Sequence, residues 1–223
     1  MPEAWPVEVE GVRMQCKLAG LWHLGLFPEQ APHWQWMVKG LAGNAVAAPR
    51  DKPRVLNLFA YTGAASLIAA RAGAEVVHVD ASKKAVSWGR ENAAASGLAD
   101  APVRWICEDA RKFVAREVRR GRTYHSILLD PPKFGRGPDG EVWELFEHLP
   151  AFLADCAKLL APEGARLILT AYAIRASALA LDGLMRETLR ARGGSIESGE
   201  LALAEAAGDR LIGTSLYSRW SAP

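Results

Sequence analysis

Four short clusters hold the residues best suited to chemistry: Ala60-Tyr61-Thr62-Gly63, Asp80-Ala81-Ser82, Glu108-Asp109-Ala110 and Asp130-Pro131-Pro132-Lys133-Phe134. Gly63 lets a ligand approach the backbone, and a helix starting there offers free amide hydrogens to a carboxylate. Asp80, seventeen positions further on, can accept both hydroxyls of a ribose. Asp109 can accept from an adenine amino group. The two prolines fix the backbone beside Asp130, so its carboxylate and the neighbouring carbonyls form a rigid set of acceptors. Each cluster alone has a plain explanation: a turn, a helix cap for Asp80 or Asp109, a stiff loop. Their order gives the signal, because each falls just after a separate apolar segment.

Those segments read as strands. Residues 55–59, 75–80, 103–107, 126–130 and 165–170 are short and rich in Val, Ile and Leu. Between them lie helical stretches at 64–72, closed by Gly73, and at 82–96, capped by Ser82 and closed by Gly97. A basic stretch follows at 110–120, and 141–160 is mostly helical with Pro150 restarting or kinking it. Alternating strand and helix implies right-handed crossovers in a doubly wound parallel sheet, whose ligands bind beyond the carboxyl ends of the strands. After a helix over 177–192, residues 195–203 and 211–220 read as two strands turning near Gly208, an antiparallel hairpin. The expected fold is α/β, a mostly parallel seven-stranded sheet with this carboxyl-terminal hairpin and a short amino-terminal β extension. Residues 1–50 form that extension: a hairpin around Glu10-Gly11, an aromatic segment with Trp22, Phe27, Trp34 and Trp36, and the start of a connector at 45–53. Residues 51–223 form the main domain. The tryptophans read as core in preference to base-stacking platforms.

The 223 residues, half of them apolar, suffice for one well-buried domain. A net charge of +2 neither announces nor excludes a nucleic-acid partner. No apolar run spans a membrane, and Met-Pro-Glu-Ala-Trp-Pro is not a secretory leader. Three dispersed cysteines fit a reducing cytoplasm, and the five histidines lack metal-ligand spacing, so no metal is expected. Nothing in the sequence sets an oligomeric state.

A nicotinamide dehydrogenase would need G-x-G-x-x-G to cradle a pyrophosphate; here Gly63 stands alone and Tyr61 occupies a position where glycine is needed. S-adenosylmethionine carries no phosphate and tolerates that loop. The rings of Phe59 or Tyr61 suit its cationic end. On these motifs the chain resembles class I S-adenosylmethionine-dependent methyltransferases, and more narrowly the bacterial large-subunit ribosomal RNA methyltransferases of the I/K type. The resemblance runs from about residue 21 to 170. Leu58-Phe59-Ala60-Tyr61-Thr62-Gly63, Val79-Asp80-Ala81-Ser82, Asp109 and Asp130-Pro131-Pro132-Lys133-Phe134 match the first four motifs, and Gly25-Leu26-Phe27-Pro28-Glu29-Gln30 resembles the segment over the cofactor, with Ala31 replacing the usual Arg. The resemblance implies S-adenosylmethionine as cofactor and RNA as substrate. Cofactor candidates are Phe27, Gln30, His33, Phe59, Tyr61, Thr62, Gly63, Asp80, Ala81, Ser82, Asp109, Ala110 and Asp130; catalytic candidates are Asp130, Pro131, Lys133 and Phe134.

Two departures narrow this. Relatives commonly carry a further amino-terminal RNA-binding region, and here the first motif follows only a short extension. Cytosine-C5 members place a nucleophilic Cys beyond the fifth strand, where this chain has Leu169-Thr170-Ala171-Tyr172-Ala173-Ile174-Arg175. Cytosine carbon needs a thiolate to add to the ring first. Cys107 reads as a buried strand residue, so a nitrogen acceptor is expected. Asp130 and the Pro131 carbonyl would orient it, and Phe134 either stacks on the base or packs into the core. Residues 134–140 read as a flexible loop, with Arg136 able to meet a phosphate. Arg111, Lys112, Arg116, Arg119, Arg120 and Arg122 read as a solvated face before a phosphate track. The alternatives are methylation of a protein or small molecule, and a cofactor-binding module without activity.

Overall fold

The computed structural model describes residues 3–19, 23–47 and 52–223, with backbone alone for 44–47. Trp22 and the middle of the expected connector lie outside the described residues. Strands β1 (Trp5–Val9) and β2 (Val12–Cys16) pair antiparallel about the Glu10-Gly11 turn. Helix α1 (Ala31–Ala47) follows, where the sequence had suggested only an aromatic segment and a connector. His33, Trp34, Met37, Gly40 and Leu41 are its buried positions, a helical spacing interrupted by glycine. That glycine is required, because a Cβ at 40 would collide with the Arg166 side chain.

The alternating core then appears in order: β3 (Arg54–Leu58), α2 (Ala64–Arg71), β4 (Glu75–Asp80), α3 (Lys83–Ala95), β5 (Val103–Cys107), α4 (Ala110–Arg119) and β6 (Ser126–Leu129). The stretch expected as a flexible loop is instead a small antiparallel ribbon, β7 (Phe134–Arg136) with β8 (Val142–Glu144). It leads into α5 (Leu145–Lys158), which carries Pro150 inside the helix, where the ring removes one intrahelical hydrogen bond. Strand β9 (Arg166–Ala171), α6 (Ala178–Leu189), β10 (Ser195–Ala204) and β11 (Leu211–Ser221) complete the chain.

The sheet order is β10-β11-β9-β6-β3-β4-β5. Strands β3, β4, β5, β6 and β9 run parallel, and β11 is antiparallel to β9 and to β10. Strand order reverses between β3 and β6, so the crevice for a ligand lies at their carboxyl ends, where Gly63 and Asp130 stand. One face is sealed by α4, α5 and α6 through Phe113, Leu153 and Met185, the other by α1, α2 and α3 through Met37, Leu41 and Leu67. Each such fully buried side chain contributes about 1.5–3 kcal/mol. The second cluster joins Val12, Met14 and Trp34 to Val55 and Ile168, so the amino-terminal segment shares its core with the sheet.

Candidate active site

The loop after β3 is held in an uncommon conformation. Phe59, Tyr61 and Gly63 have φ of 56°, 49° and 90°. Left-handed backbone costs a non-glycine residue about 1–3 kcal/mol and persists only when its surroundings enforce it. Here aromatic packing does so. Phe59 lies 5.0 Å from the Trp143 ring and 5.9 Å from Phe152; Tyr61 lies 5.6 Å from Phe27 and 6.0 Å from Trp88. Thr62 is buried, donates to the Gly25 carbonyl at 2.5 Å, and its own carbonyl accepts from Asn92 at 2.9 Å. The turn therefore presents the first amides of α2 to the crevice.

Asp80, at the end of β4, closes this loop from the other side. Its Oδ2 accepts from the Tyr61 amide and its Oδ1 from the Ser82 amide, both at 2.8 Å. Burial raises its pKa and those two bonds oppose the rise. Each oxygen keeps a lone pair free for a ribose hydroxyl. Ser82 caps α3 through Ala85. Asp109 caps α4: Oδ1 accepts from the Arg111 and Lys112 amides at 2.9 and 3.0 Å. Its Oδ2 has no hydrogen bond within the described residues and can serve an adenine amino group. Helix cap and ligand acceptor thus coexist on one carboxylate. Asp80, Ala81, Ser82, Asp109 and Ala110 line a cavity of about 260 Å³.

A second lobe adjoins it across Phe27, Phe59, Tyr61 and Asp130, lined also by Gln30, Asn57, Thr62, Gly63 and Thr170. Asp130 stands between the lobes. Its Oδ1 accepts from the Thr170 hydroxyl at 2.5 Å, and Gln30 Nε2 reaches the same hydroxyl at 3.5 Å. Burial raises its pKa to about 6, against the pull of the Thr170 bond and with help from Glu29. Two lobes, one with acceptors suited to a ribose and an adenine and one with helix-start amides and the Asp130 carboxyl, suit a nucleoside joined to an amino acid. Phe27, Gln30, Phe59, Tyr61, Thr62, Gly63, Asp80, Ala81, Ser82, Asp109, Ala110 and Asp130 all line this double cavity.

Other candidates lie elsewhere. His33 does not line it; the ring is buried, packs 4.8 Å from Tyr217, and burial with nearby Arg219 depresses its pKa to about 4. The reason is helical phase, which turns His33 toward β11 while Trp34 faces the lobe of Gln30. Phe134 is 61% exposed on the ribbon, which removes its core reading, and the Lys133 ammonium lies 5.3 Å from its ring. Neither lines the cavity. The Pro132 carbonyl accepts from Trp143 Nε1 at 2.7 Å, whereas the Pro131 carbonyl accepts nothing within the described residues. Cys107 is exposed, contrary to expectation, because it ends the edge strand β5. The basic face is only partly solvated: Arg116 pairs with Glu108 at 2.5 Å, Lys112 with Glu141 and Arg111 with the Val142 carbonyl, pinning the ribbon to α4.

Trp143 and Tyr172 line the cavity and had not been anticipated. Trp143 had a signal, the alternation of 134–136 and 142–144 about Pro138-Asp139-Gly140. Among the described residues no group of three His, Cys, Asp or Glu side chains is placed to hold a metal, and no helix is long and apolar enough to cross a membrane.

A doubly wound sheet with acids after successive strands and a single glycine in the first loop defines a nucleoside-binding methyltransferase fold. Residues 2–200 match the S-adenosylmethionine-dependent methyltransferase family, and the chain belongs to it. A crystal structure of an S-adenosylmethionine-dependent methyltransferase from Agrobacterium tumefaciens is 53% identical with a TM-score of 0.93, covering 99% of this chain and 71% of that one. The ribosomal RNA large subunit methyltransferase K/L of Shewanella frigidimarina is 31% identical over 159 residues, 70% of this chain and 21% of its own length. The ribosomal RNA large subunit methyltransferase I of Shewanella amazonensis is 43% identical over 129 residues, 57% of this chain and 30% of its own length. The chain thus spans about a fifth to a third of these two relatives.

Proposed function

We propose that this enzyme methylates a base of RNA, ribosomal RNA first among candidates, at a nitrogen atom and in the cytoplasm. The names of its relatives support RNA as the substrate. One observation carries the choice of nitrogen: Asp130, whose Oδ2 accepts no hydrogen bond among the described residues, lines both lobes of the cavity, and no cysteine lines either. Cys16 and Cys156 are buried. Cys107 ends β5, three strands from β6 and so on the order of 14 Å across the sheet. Its thiol points to the Ala81 carbonyl, and partial desolvation there, with the Asp80 carboxylate, raises its pKa although the residue as a whole is exposed.

When bound, S-adenosylmethionine supplies an electrophilic methyl group on sulfur. In this reading the chain contributes position and charge. Asp80 and Asp109 hold the nucleoside end. The amides after Gly63 receive the carboxylate of the methionine end, and the ring of Phe27 or Tyr61 flanks its cationic part. Asp130 Oδ2 and the Pro131 carbonyl accept hydrogen bonds from the amine to be methylated, turning its lone pair toward the methyl group. Thr170 keeps Oδ1 occupied, so Oδ2 is the oxygen available. Lys133 and Phe134, on the exposed ribbon, contact the nucleic acid outside the cavity, and Arg136 meets a phosphate.

The test is transfer of labelled methyl from S-adenosylmethionine to ribosomal RNA from cells lacking the protein, followed by mass spectrometry of the nucleosides. An N-methylated base is expected. Label confined to protein or small molecules would overturn the RNA assignment, and a C5-methylated cytosine would overturn the nitrogen assignment.

A further inference from the structure

The end of the sheet opposite the cofactor cavity holds a separate cavity of about 420 Å³, at the amino ends of β3, β4 and β5. Strands of five and six residues lie between the two, roughly 17–20 Å. Arg54, Arg104, Arg120 and Arg122 line it, together with Glu75 and Glu117. Four guanidiniums thus meet two carboxylates. Glu117 is buried and already occupied: it accepts from the Tyr124 hydroxyl at 2.7 Å and from Arg120 at 3.2 Å. Glu75 stands opposite Arg54 in the β3–β4 register, yet no ion pair joins them. The Arg54 guanidinium donates to the Thr123 hydroxyl at 2.9 Å, and the side chains of Arg104 and Arg122 have no hydrogen bond or ion pair among the described residues. Three of the four guanidiniums therefore line the cavity without a carboxylate partner.

We propose that this cavity binds a phosphate-bearing small molecule of mononucleotide size, with Arg54, Arg104 and Arg122 holding the phosphate. Charge is the first support. A planar guanidinium presents paired donors that match phosphate oxygens, and several around one hollow concentrate positive potential. Arg120 and Arg122 follow α4, and the carboxyl end of a helix favours cations by itself. Arg54 and Arg104 lie on β3 and β5, where that explanation does not reach them. Position is the second support. Burial and the bond to Glu117 raise the Tyr124 pKa, and Arg54 and Arg104 act against that rise, which puts both guanidiniums near one hydroxyl. Shape is the third. The volume lies in the range of small-molecule sites, and Val77, Pro102, Val103 and Tyr124 supply apolar walls. A bare phosphate leaves most of that space empty, whereas a ring joined to a phosphate fills it. An RNA backbone calls for a groove along which successive phosphates lie, and here the arginines surround a single hollow. Being at the far end of the sheet, the occupant does not compete with a nucleoside held by Asp80 and Asp109.

The experiment is titration calorimetry with inorganic pyrophosphate, AMP and adenosine, with S-adenosylhomocysteine saturating the cofactor cavity so that only a second site is read. AMP and pyrophosphate should each bind at one site, and adenosine at least tenfold more weakly than AMP. R104A and R122A should each weaken AMP binding at least tenfold. R119A removes an exposed arginine of α4 that does not line the cavity, and it should leave AMP affinity within twofold of wild type. Thermal melting confirms that each variant is folded. Absence of AMP and pyrophosphate binding overturns the site. Adenosine binding as tightly as AMP overturns the role given to the arginines. An equal loss in R119A overturns the site by reducing it to general surface charge. Filter binding of ribosomal RNA separates the two sources of phosphate. RNA affinity should be the same in R104A, R122A and wild type; a loss in step with that for AMP overturns the small molecule and gives these arginines to the RNA backbone. None of these measurements needs methyl transfer, so failure of the RNA reading above is distinguishable from failure of this site.

Discussion

Replacing Asp130 by Asn should stabilise the protein and abolish its activity together. The carboxyl has a pKa of about 6 in the folded chain against 3.8 as its ordinary value. A proton is therefore bound more tightly in the folded state than in the unfolded one, and stability falls as pH rises through the window between these values. Below about pH 3 both states are protonated and the cost vanishes; above about pH 7 both are ionised and it is constant. At 1.36 kcal/mol per pH unit, linkage puts the cost at about 1 kcal/mol at pH 4.5 and about 3 kcal/mol at pH 7.5. Asn keeps an oxygen that accepts from Thr170 and carries no charge to desolvate, so D130N recovers that difference. For a chain of this size ~3 kcal/mol corresponds to about 6–12 °C in Tm. Thermal melts of both proteins from pH 4.5 to 7.5 read it directly. The same variant should lose methyl transfer on the order of 100-fold, because the amide nitrogen cannot accept from the substrate amine. A gain that stays constant across this pH range, or a variant less stable than wild type at pH 7.5, would refute the reasoning.

Four further outcomes are expected. D80A removes the acceptor for the Tyr61 and Ser82 amides as well as the ribose contact; calorimetry should show S-adenosylmethionine affinity reduced at least ~30-fold, about 2 kcal/mol. T170V deletes the hydroxyl that lowers the Asp130 pKa, so the acidic limb of the pH–rate profile should move to higher pH while the limb of the wild type lies near 6. G25A places a Cβ in the Trp88 ring at a φ of +92°, disturbing the carbonyl that holds Thr62; chemical denaturation should show a loss of about 1–3 kcal/mol. G43A, in a helix with nothing within 4 Å of the new Cβ, should instead gain about 0.5–1 kcal/mol.

The strand–helix alternation from β3 to β9 was legible because parallel strands buried on both faces must be continuous apolar runs, and each run here ends in the residue that faces the crevice. The terminal hairpin was legible because no helix separates its strands. Helix α1 was not, although 33, 34, 37, 40 and 41 carry a helical period; two glycines and a proline conceal it, and Gly40 is there for Arg166 rather than for a turn. The ribbon at 134–144 was hidden by its glycines in the same way. At the site, carboxylates after strands could be located because backbone direction alone places them. His33 could not, since one step of helical phase separates it from Trp34, and neither could Tyr172, which lines the cavity from beyond the end of its strand. The exposure of Cys107 follows from β5 being an edge, which only the strand order reveals.

Gln30 reaches Thr170 across 140 residues of sequence. At a synthesis rate of about 5–20 residues per second, the ribosome makes that intervening chain in roughly 7–30 s. The segment carrying Phe27 and Gln30 therefore leaves the ribosome well before the strand against which it closes the cavity. A nascent chain stopped before β9 has Asp80, Asp109 and the Gly63 loop but no far wall, and it lacks the hydroxyl that holds Asp130. The cavity is therefore completed only once β9 has been made, because Thr170 is the contact that joins Gln30 to Asp130.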